Sequence, residues 1–562
     1  MNEKTKKSPK KSFLSRLSFK TFNFWTIVIL ASIIFALIFI VYPFSKLFIQ
    51  SFFGKETAFS FENYQRFFEK KYYYTTLLNS LKVCFASTAL SVLIGVPMAY
   101  VTSRFKIWGK RVINMAVIIS LLSPPFIGAY SWIMLLGRNG FLTNILRGIG
   151  LEIGSIYGFH GILLVFTLKL YPYVYMYVSG ALGSMDASLE EASENLGVSG
   201  LRRLMKITFP LILPTILSSA LMVFMTALAD YGTPLMIGEG YKVLPVVIYE
   251  EYLGEVGGSI TFASALSVII VACSAIMLFV QKKVVDTKNY TMSMLRPPEV
   301  KQLSAGKKLL ATLCVGIVAF LGVLPQITVI VTSFVKTNGP MFVKGFSLNS
   351  YRAVMHKMGR NIWNTYSFAL IALVIMVVMG ILLAYIIVRR RSRVSSFLDF
   401  VMMFPYVIPG SVLGISLVVA FNKPPLILTG TAAIMVISYV IRKLPYTLRS
   451  SVGILYQIDT SVEEASISLG VGSSQTFFNI TARLMLPGVL SGAVLSFIST
   501  INELSSSLML YSGNTATISV AIFSEIFRDG YGTGAALASM LTVSTIIVLM
   551  IFNKLSGGKS VM

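Results

Sequence analysis

Residues 172–198 read PYVYMYVSGALGSMDASLEEASENLGV, and residues 445–471 read PYTLRSSVGILYQIDTSVEEASISLGV. The two stretches align without a gap at an offset of 273, and 13 of their 27 positions are identical. Pro172-Tyr173 falls on Pro445-Tyr446, Gly180 on Gly453 and Asp186 on Asp459. Glu190-Glu191-Ala192-Ser193 falls on Glu463-Glu464-Ala465-Ser466, and Leu196-Gly197-Val198 on Leu469-Gly470-Val471. The same offset holds at Ile207-Thr208 with Ile480-Thr481 and at Pro214 with Pro487. Apolar segments can resemble one another through composition alone. A polar stretch cannot, so this is an internal repeat, and a repeat sets the architecture of the whole chain.

Outward from the repeat, the chain is strongly apolar. Of 562 residues 55% are hydrophobic and 13% charged, against about 25% charged in an ordinary soluble protein. Many apolar runs exceed the roughly 18 residues that mark a membrane-spanning helix. Twelve spans fit, near 24–49, 76–103, 112–136, 158–183, 211–234, 261–281, 308–335, 361–388, 396–421, 428–449, 488–511 and 533–553. The expected fold is an all-α polytopic membrane protein made of two homologous six-helix halves.

The halves are expected at 24–281 and 308–553, joined by a polar, basic linker at 282–307 that contains Pro297-Pro298. A basic tail (1–23) precedes them and a short tail (554–562) follows. Earlier in each half the offset is 285, pairing Asn79 with Asn364, Gly95 with Gly380 and Ala99-Tyr100 with Ala384-Tyr385. Most of the 12-residue difference is expected in the Gly-rich 137–158 loop. Both halves start and end on the same side, so the repeats are parallel and enclose a central path.

Net charge is +25. Nucleic-acid binding is one reading of such a number, but the distribution favours membrane topology. With both termini placed in the cytoplasm, the cytoplasmic segments hold 29 of the 48 Lys and Arg, and the opposite loops hold 15. That is the positive-inside bias. The basic start followed by an apolar run to Ile49 reads as an uncleaved first span, because the run is too long for a signal peptide. Cys84, Cys273 and Cys314 lie inside apolar runs, which excludes a disulfide scaffold. Two histidines and three dispersed cysteines exclude a structural zinc site, and no metal-ligand set is assigned.

The repeated polar loops, 186–210 and 459–487, fall on the cytoplasmic side. Residues 186–206 read as a short amphipathic helix capped by Asp186 or Ser188. Gly197 breaks the run, and Pro210 and Pro214 mark entry into the next span. Glu191-Ala192-Ser193, Gly197 and Ile207-Thr208-Phe209-Pro210 closely resemble the EAA loop of type I ABC importer permeases. Glu464-Ala465-Ser466, Gly470 and Ile480 repeat it, with Arg483 where the motif's proline is expected.

The resemblance implies that each loop is a coupling helix docking into an ATP-binding subunit, with Glu191, Ala192, Ser193 and Gly197 in one contact and Glu464, Ala465, Ser466 and Gly470 in the other. The chain contains no G-x-x-x-x-G-K-[ST] loop. It is therefore expected to be a transport subunit rather than an enzyme, binding no cofactor itself. ATP and magnesium would sit on a separate homodimeric ATPase. The family further implies an extracytoplasmic substrate-binding protein, a bacterial cytoplasmic membrane surrounding the spans with its lipid, and no nucleic-acid partner.

The segments Ala227-Leu228-Ala229-Asp230-Tyr231-Gly232-Thr233-Pro234 and Thr500-Ile501-Asn502-Glu503-Leu504-Ser505-Ser506-Ser507 look like those of fused ferric-iron permeases. Ile518 to Phe523 adds to that likeness. Thiamine and 2-aminoethylphosphonate permeases share the layout and stand as alternative cargo readings. Asp230 and Glu503 match at the 273 offset, as do Lys169 and Arg442 just before each Pro-Tyr. A charge within a span faces a cavity or a partner, since it is costly in lipid.

Asp230, Glu503, Asn502, Lys169 and Arg442 are thus path candidates. The carboxylates either line the path, where hard oxygens suit a ferric ion, or pair with those two cations. The cations in turn could complement an anionic substrate. An ion-gradient-driven twelve-span transporter is the alternative of a different class, disfavoured because it needs no matched cytoplasmic loops. A membrane enzyme lacks any catalytic cluster. Arg389, Arg390, Arg391 and Arg393 read as a stop-transfer anchor. Trp25 and Tyr72-Tyr73-Tyr74 read as interfacial belts, and Gly95 and Gly380 as close helix contacts.

Overall fold

The computed structural model describes residues 23–54, 59–121, 124–152, 154–198, 200–254, 258–286, 300–339 and 341–555. The basic N-terminal tail, Pro297-Pro298 and nearly all of the C-terminal tail lie outside them. Among the described residues nine helices are long and apolar enough to cross a membrane, and two further spans are bent helix pairs. These occupy eleven of the twelve expected positions. The remaining one holds Ala432–Gln457, a 26-residue helix that carries Arg442, Lys443 and Arg449. It sits one repeat offset from the spanning helix Phe159–Gly183.

The two halves repeat each other through most of their helices, although the second adds a two-stranded sheet, Val335–Asn338 with Met341–Phe346. Helices Ala187–Asn195 and Thr460–Ser468 are each nine residues long and lie 273 apart. So do Gly200–Arg203 and Ser473–Thr476, and the π-helical turns Leu204–Thr208 and Phe477–Thr481. The third span of each half is sharply bent, by 106° between Lys110–Leu121 and Phe126–Gly148 and by 113° between Arg393–Val407 and Gly410–Phe421. The first arm ends before Pro124 in one half and Pro409 in the other, where the missing N–H and the ring end a helix.

The difference between the two offsets falls where the Gly-rich loop predicts it. Leu136 and Phe421 end matching helices, and Phe159 and Ala432 begin the next. The first half fills the interval with an extra helix, Phe141–Gly148.

Within each half the second span packs on the fourth, and the fifth packs on both. A methyl at Gly95 would come within 2.7 Å of the Val174 side chain, and one at Gly380 within 2.9 Å of Thr447. Both glycines therefore allow the close helix contacts expected of them. The first spans are exchanged. Phe24–Gln50 packs on the bent ninth span, and Ala305–Ser333 packs on the bent third span. Each half is thus clasped by the other's leading helix. A second apolar core crosses the halves, joining Phe126 and Tyr231 to Leu504, Leu508 and Ile518.

Three expectations are corrected. The fifth span starts at Leu204 rather than near 211 and stops at Ala229 rather than at 234. Its prolines therefore lie inside the first turns of the span instead of marking its edge. The π turn persists in the second half despite Arg483, so Pro210 is not its cause. Trp25 is fully buried rather than interfacial, because its ring stacks on Tyr385 at 4.3 Å and packs edge-on to Phe477 at 4.8 Å.

Candidate functional site

The first candidate region is the pair of repeated loop helices. Each starts at an aspartate whose carboxylate accepts the backbone N–H two residues on: Ser188 N to Asp186 Oδ1 and Ser461 N to Asp459 Oδ1, both at 2.9 Å. That bond satisfies one of the donors left open at a helix start. It also holds the Asp459 carboxyl below the ordinary carboxylate range.

Each helix ends in the same reverse turn. Gly197 N donates to Glu194 O and Val198 N to Ser193 O, both at 2.9 Å. Gly470 N donates to Ile467 O at 2.9 Å and Val471 N to Ser466 O at 3.2 Å. The turn needs a left-handed residue, and Gly197 and Gly470 supply it at φ +74° and +84°. The repeated Leu-Gly-Val is the sequence signature of that turn.

The caps and turns fix which side chains face out. Glu191, Ala192, Glu464 and Ala465 are exposed, whereas Ser193 and Ser466 are buried. Ser466 Oγ lies 2.9 Å from Thr476 Oγ1, holding the helix to the start of the next span. Leu196 and Leu469 are 82% and 85% exposed, so the matched turns present matched apolar knobs at the surface.

Sequence reasoning missed the anchor of the second helix. Glu463, not Glu464, is buried, and it accepts from Arg389 Nε at 3.1 Å and Tyr385 OH at 3.2 Å. Arg389 Nη2 also donates to Ile458 O at 2.6 Å, and the Arg390 guanidinium lies 5.0 Å over the Trp25 ring. The arginine run is therefore a clamp between the eighth span, the first span and the loop helix, not only a stop-transfer anchor. The available signal was that Arg389 repeats Arg104 at the 285 offset.

The second region lies at the far end of the fifth and eleventh spans. Lys169 Nζ donates to Asp230 Oδ2 at 2.7 Å. Asp230 also accepts from Thr233 N at 3.0 Å and Thr233 Oγ1 at 3.2 Å. In the second half Lys443 Nζ lies 2.6 Å from Glu503 Oε2, and Arg442 Nη1 lies 3.3 Å from Glu503 Oε1. Ser506 N donates to Glu503 Oε1 at 3.1 Å. Each carboxylate takes the backbone N–H three residues ahead, which is why the spans end at Ala229 and Ile501 instead of continuing.

The carboxylate side chains are 5% and 4% exposed, so both are satisfied inside the protein. Asn502, beside Glu503, is buried too. Tyr231, next to Asp230, is fully buried in the apolar core it shares with Leu504, the neighbour of Glu503.

Two further participants carried no repeat signal. Lys443 has Leu170 as its counterpart. Gly410 leaves the space that the Arg442 guanidinium occupies, since a methyl there would come 1.4 Å from Nη1. One turn nearer the loop helices, Tyr173 and Tyr446 repeat each other. Tyr406 lies edge-on to Tyr446 at 5.5 Å, within electrostatic reach of Tyr173, with its hydroxyl 3.5 Å from Met222 Sδ. Tyr173, Tyr406 and Tyr446 are half-buried. Among the described residues, no three His, Cys, Asp or Glu side chains converge to hold a metal ion.

The chain is similar to known proteins over most of its length. A family model described as binding-protein-dependent transport system inner membrane component matches residues 91–286 and 376–558, one match per half. The ferric transport system permease protein FbpB of Actinobacillus pleuropneumoniae is 29% identical over 540 residues, covering 94% of this chain and 78% of that protein. A putative ferric transport system permease of Haemophilus influenzae is 29% identical over 496 residues, covering 87% and 78%. A chain from a solved bacterial alginate ABC transporter, in complex with a pentasaccharide-bound periplasmic protein, is 17% identical. It covers 47% of this chain and 96% of that one, with a TM-score of 0.38.

Proposed function

The chain belongs to the binding-protein-dependent transport system inner membrane component family, and from that premise we propose that it is the permease subunit of an ATP-driven importer. The observation that carries this reading is the pair of loop helices, identical in length, cap and terminal turn at one offset. Two copies of one partner are the natural occupants of two copies of one surface.

A separate homodimeric ATPase docks there, with ATP and magnesium bound to it and not to this chain. Leu196, Glu191 and Ala192 form one contact, and Leu469, Glu464 and Ala465 form the other. An extracytoplasmic binding protein delivers the cargo from the opposite side. The protein sits in a bacterial cytoplasmic membrane with both termini inside. Ferric iron is the cargo that the similarity to ferric transport permeases supports.

The connectivity supports a mechanism of alternating access. The loop helix leads through its glycine turn toward the helix that becomes the fifth span. That span, Leu204–Ala229, is 26 residues long, roughly 39 Å at 1.5 Å per residue. A displacement at its loop end is carried to Asp230 at the other. ATP binding draws the two loop helices together and hydrolysis releases them, so the nucleotide state selects between two arrangements of the path. The shift is limited by how differently the ATPase binds those two arrangements.

The test is ATP-dependent uptake of labelled ferric iron by cells making this chain with its ATPase and binding protein. A Glu191→Ala, Glu464→Ala double variant is expected to lose most uptake while the complex still assembles. No ATP-dependent iron uptake by an assembled complex would reject iron. Full uptake by the double variant would reject the contact.

A further inference from the structure

We propose that the species crossing this path is an anion, so that ferric iron travels as a negatively charged chelate and not as a bare cation. The inference rests on the importer reading and specifies its cargo. It starts from a charge count in the buried region around Tyr231. Lys169, Arg442 and Lys443 contribute three positive charges, and Asp230 and Glu503 contribute two negative ones. All five side chains are at most 17% exposed. The surplus is a cation in a setting where an isolated charge is unfavourable unless a partner of opposite sign arrives.

The surplus belongs to the second half. There one carboxylate serves two cations, whereas in the first half one serves one. Arg442 Nη1 is buried and, although 3.3 Å from Glu503, makes no hydrogen bond. That atom packs against Gly410, so the guanidinium answers a carboxylate or phosphate through its charge rather than through this donor.

A bare ferric ion would need hard oxygen acceptors, and these are already engaged. Asp230 takes Lys169, the Thr233 N–H and the Thr233 hydroxyl. Glu503 takes Lys443 and the Ser506 N–H, with the Arg442 charge 3.3 Å away. What the approach from the loop side offers is donors. Tyr173 and Tyr446 lie one helical turn from Lys169 and Arg442, and Tyr406 packs edge-on to Tyr446. Their hydroxyls have protein partners, Met222 Sδ for Tyr406, which an arriving anion would replace. A region rich in donors and cations, with its acceptors satisfied internally, is complementary to negative charge.

The experiment uses the complete complex, with its ATPase and binding protein, in proteoliposomes. Iron-55 is supplied with carbon-14 citrate or phosphorus-32 phosphate as the sole chelating anion. Both isotopes are expected to enter together in an ATP-dependent manner. Lys443→Leu copies the first half's Leu170 and leaves Arg442 on Glu503. It is expected to lower uptake at least tenfold, with the complex assembled in normal amount, and Lys443→Arg to restore it to within threefold.

Entry of iron without either anion overturns the proposal, as does a Lys443→Leu variant that transports as well as or better than the parent. If no iron enters, the iron assignment fails by itself. The anion proposal is then decided by binding of labelled citrate and phosphate to the complex in nanodiscs. Saturable binding weakened at least tenfold by Lys443→Leu upholds it, and no saturable binding overturns it.

Discussion

The loop helices and the buried ion pairs are both products of the same internal repeat, yet they have kept it to different degrees. The loop helices agree in length, aspartate cap, glycine turn and π-helical continuation. The ion pairs agree in the position of one cation and one carboxylate and then diverge, because Lys443 stands where the first half has Leu170 and Gly410 where it has Pro125. Under the importer reading the contrast has a physical basis. A homodimeric partner needs two like surfaces, so the loops are held alike. A single cargo on a central axis meets both halves at once, so the halves can differ there and their sum is what acts.

The largest expected effect is the one that breaks the asymmetric end. Glu503→Gln leaves Arg442 and Lys443 buried without a counter-charge, at a cost on the order of 3–5 kcal/mol of stability. Asp230→Asn strands only Lys169 and should cost roughly half as much by the same reasoning. Thermal unfolding of the purified chain in detergent reads both, and equal losses would mean that Lys443 adds no electrostatic burden.

Next comes Gly410→Ala, which forces the Arg442 guanidinium out of its place. It should destabilise by about 1–3 kcal/mol, as overpacking does, with uptake reduced in parallel. A silent Gly410→Ala would show that Arg442 has an alternative resting place.

These two regions also differ in how far they can be read from sequence. Eleven of the twelve expected spans follow from apolar run length, and the loop helices from a polar repeat, because caps and glycine turns are written in the residues that make them. The pairing of Lys169 with Asp230 was one of two open readings, since an offset locates charges along a chain but not across it. Glu463 was overshadowed by Glu464, because adjacent glutamates look alike until the fold buries one. The exchange of leading helices and the burial of Trp25 depend on contacts between halves that no local pattern records, whereas the bends of the third and ninth spans sit at Pro124 and Pro409, a local signal hidden inside long apolar runs. Lys443 and Gly410 were invisible for the opposite reason, being departures from the repeat that guided the reading.

Smaller effects test the symmetric end. Gly197→Ala and Gly470→Ala each place a side chain in the left-handed region and should each destabilise the local turn by about 1 kcal/mol. Hydrogen exchange at Val198 and Val471, whose N–H groups close the two turns, should rise by similar factors. A large difference between the two would show that one loop is held by its surroundings, and Glu463 with its Arg389 clamp makes the second loop the one to resist.

The smallest effect is a pH dependence at the second helix start. The Ser461 N–H lowers the Asp459 carboxyl below its ordinary range. A carboxylate with a depressed folded value stabilises the fold above its unfolded value, and the contribution is lost as pH falls through the depressed one. Acidification from neutrality through the carboxylate range should therefore speed exchange at Ser461 and Val462 beyond the intrinsic change in rate. Asp459→Asn keeps a capping oxygen but cannot titrate, so its exchange should stay flat. If the parent is also flat, the cap holds without its charge, and the symmetry of the two loops rests on the glycine turns alone.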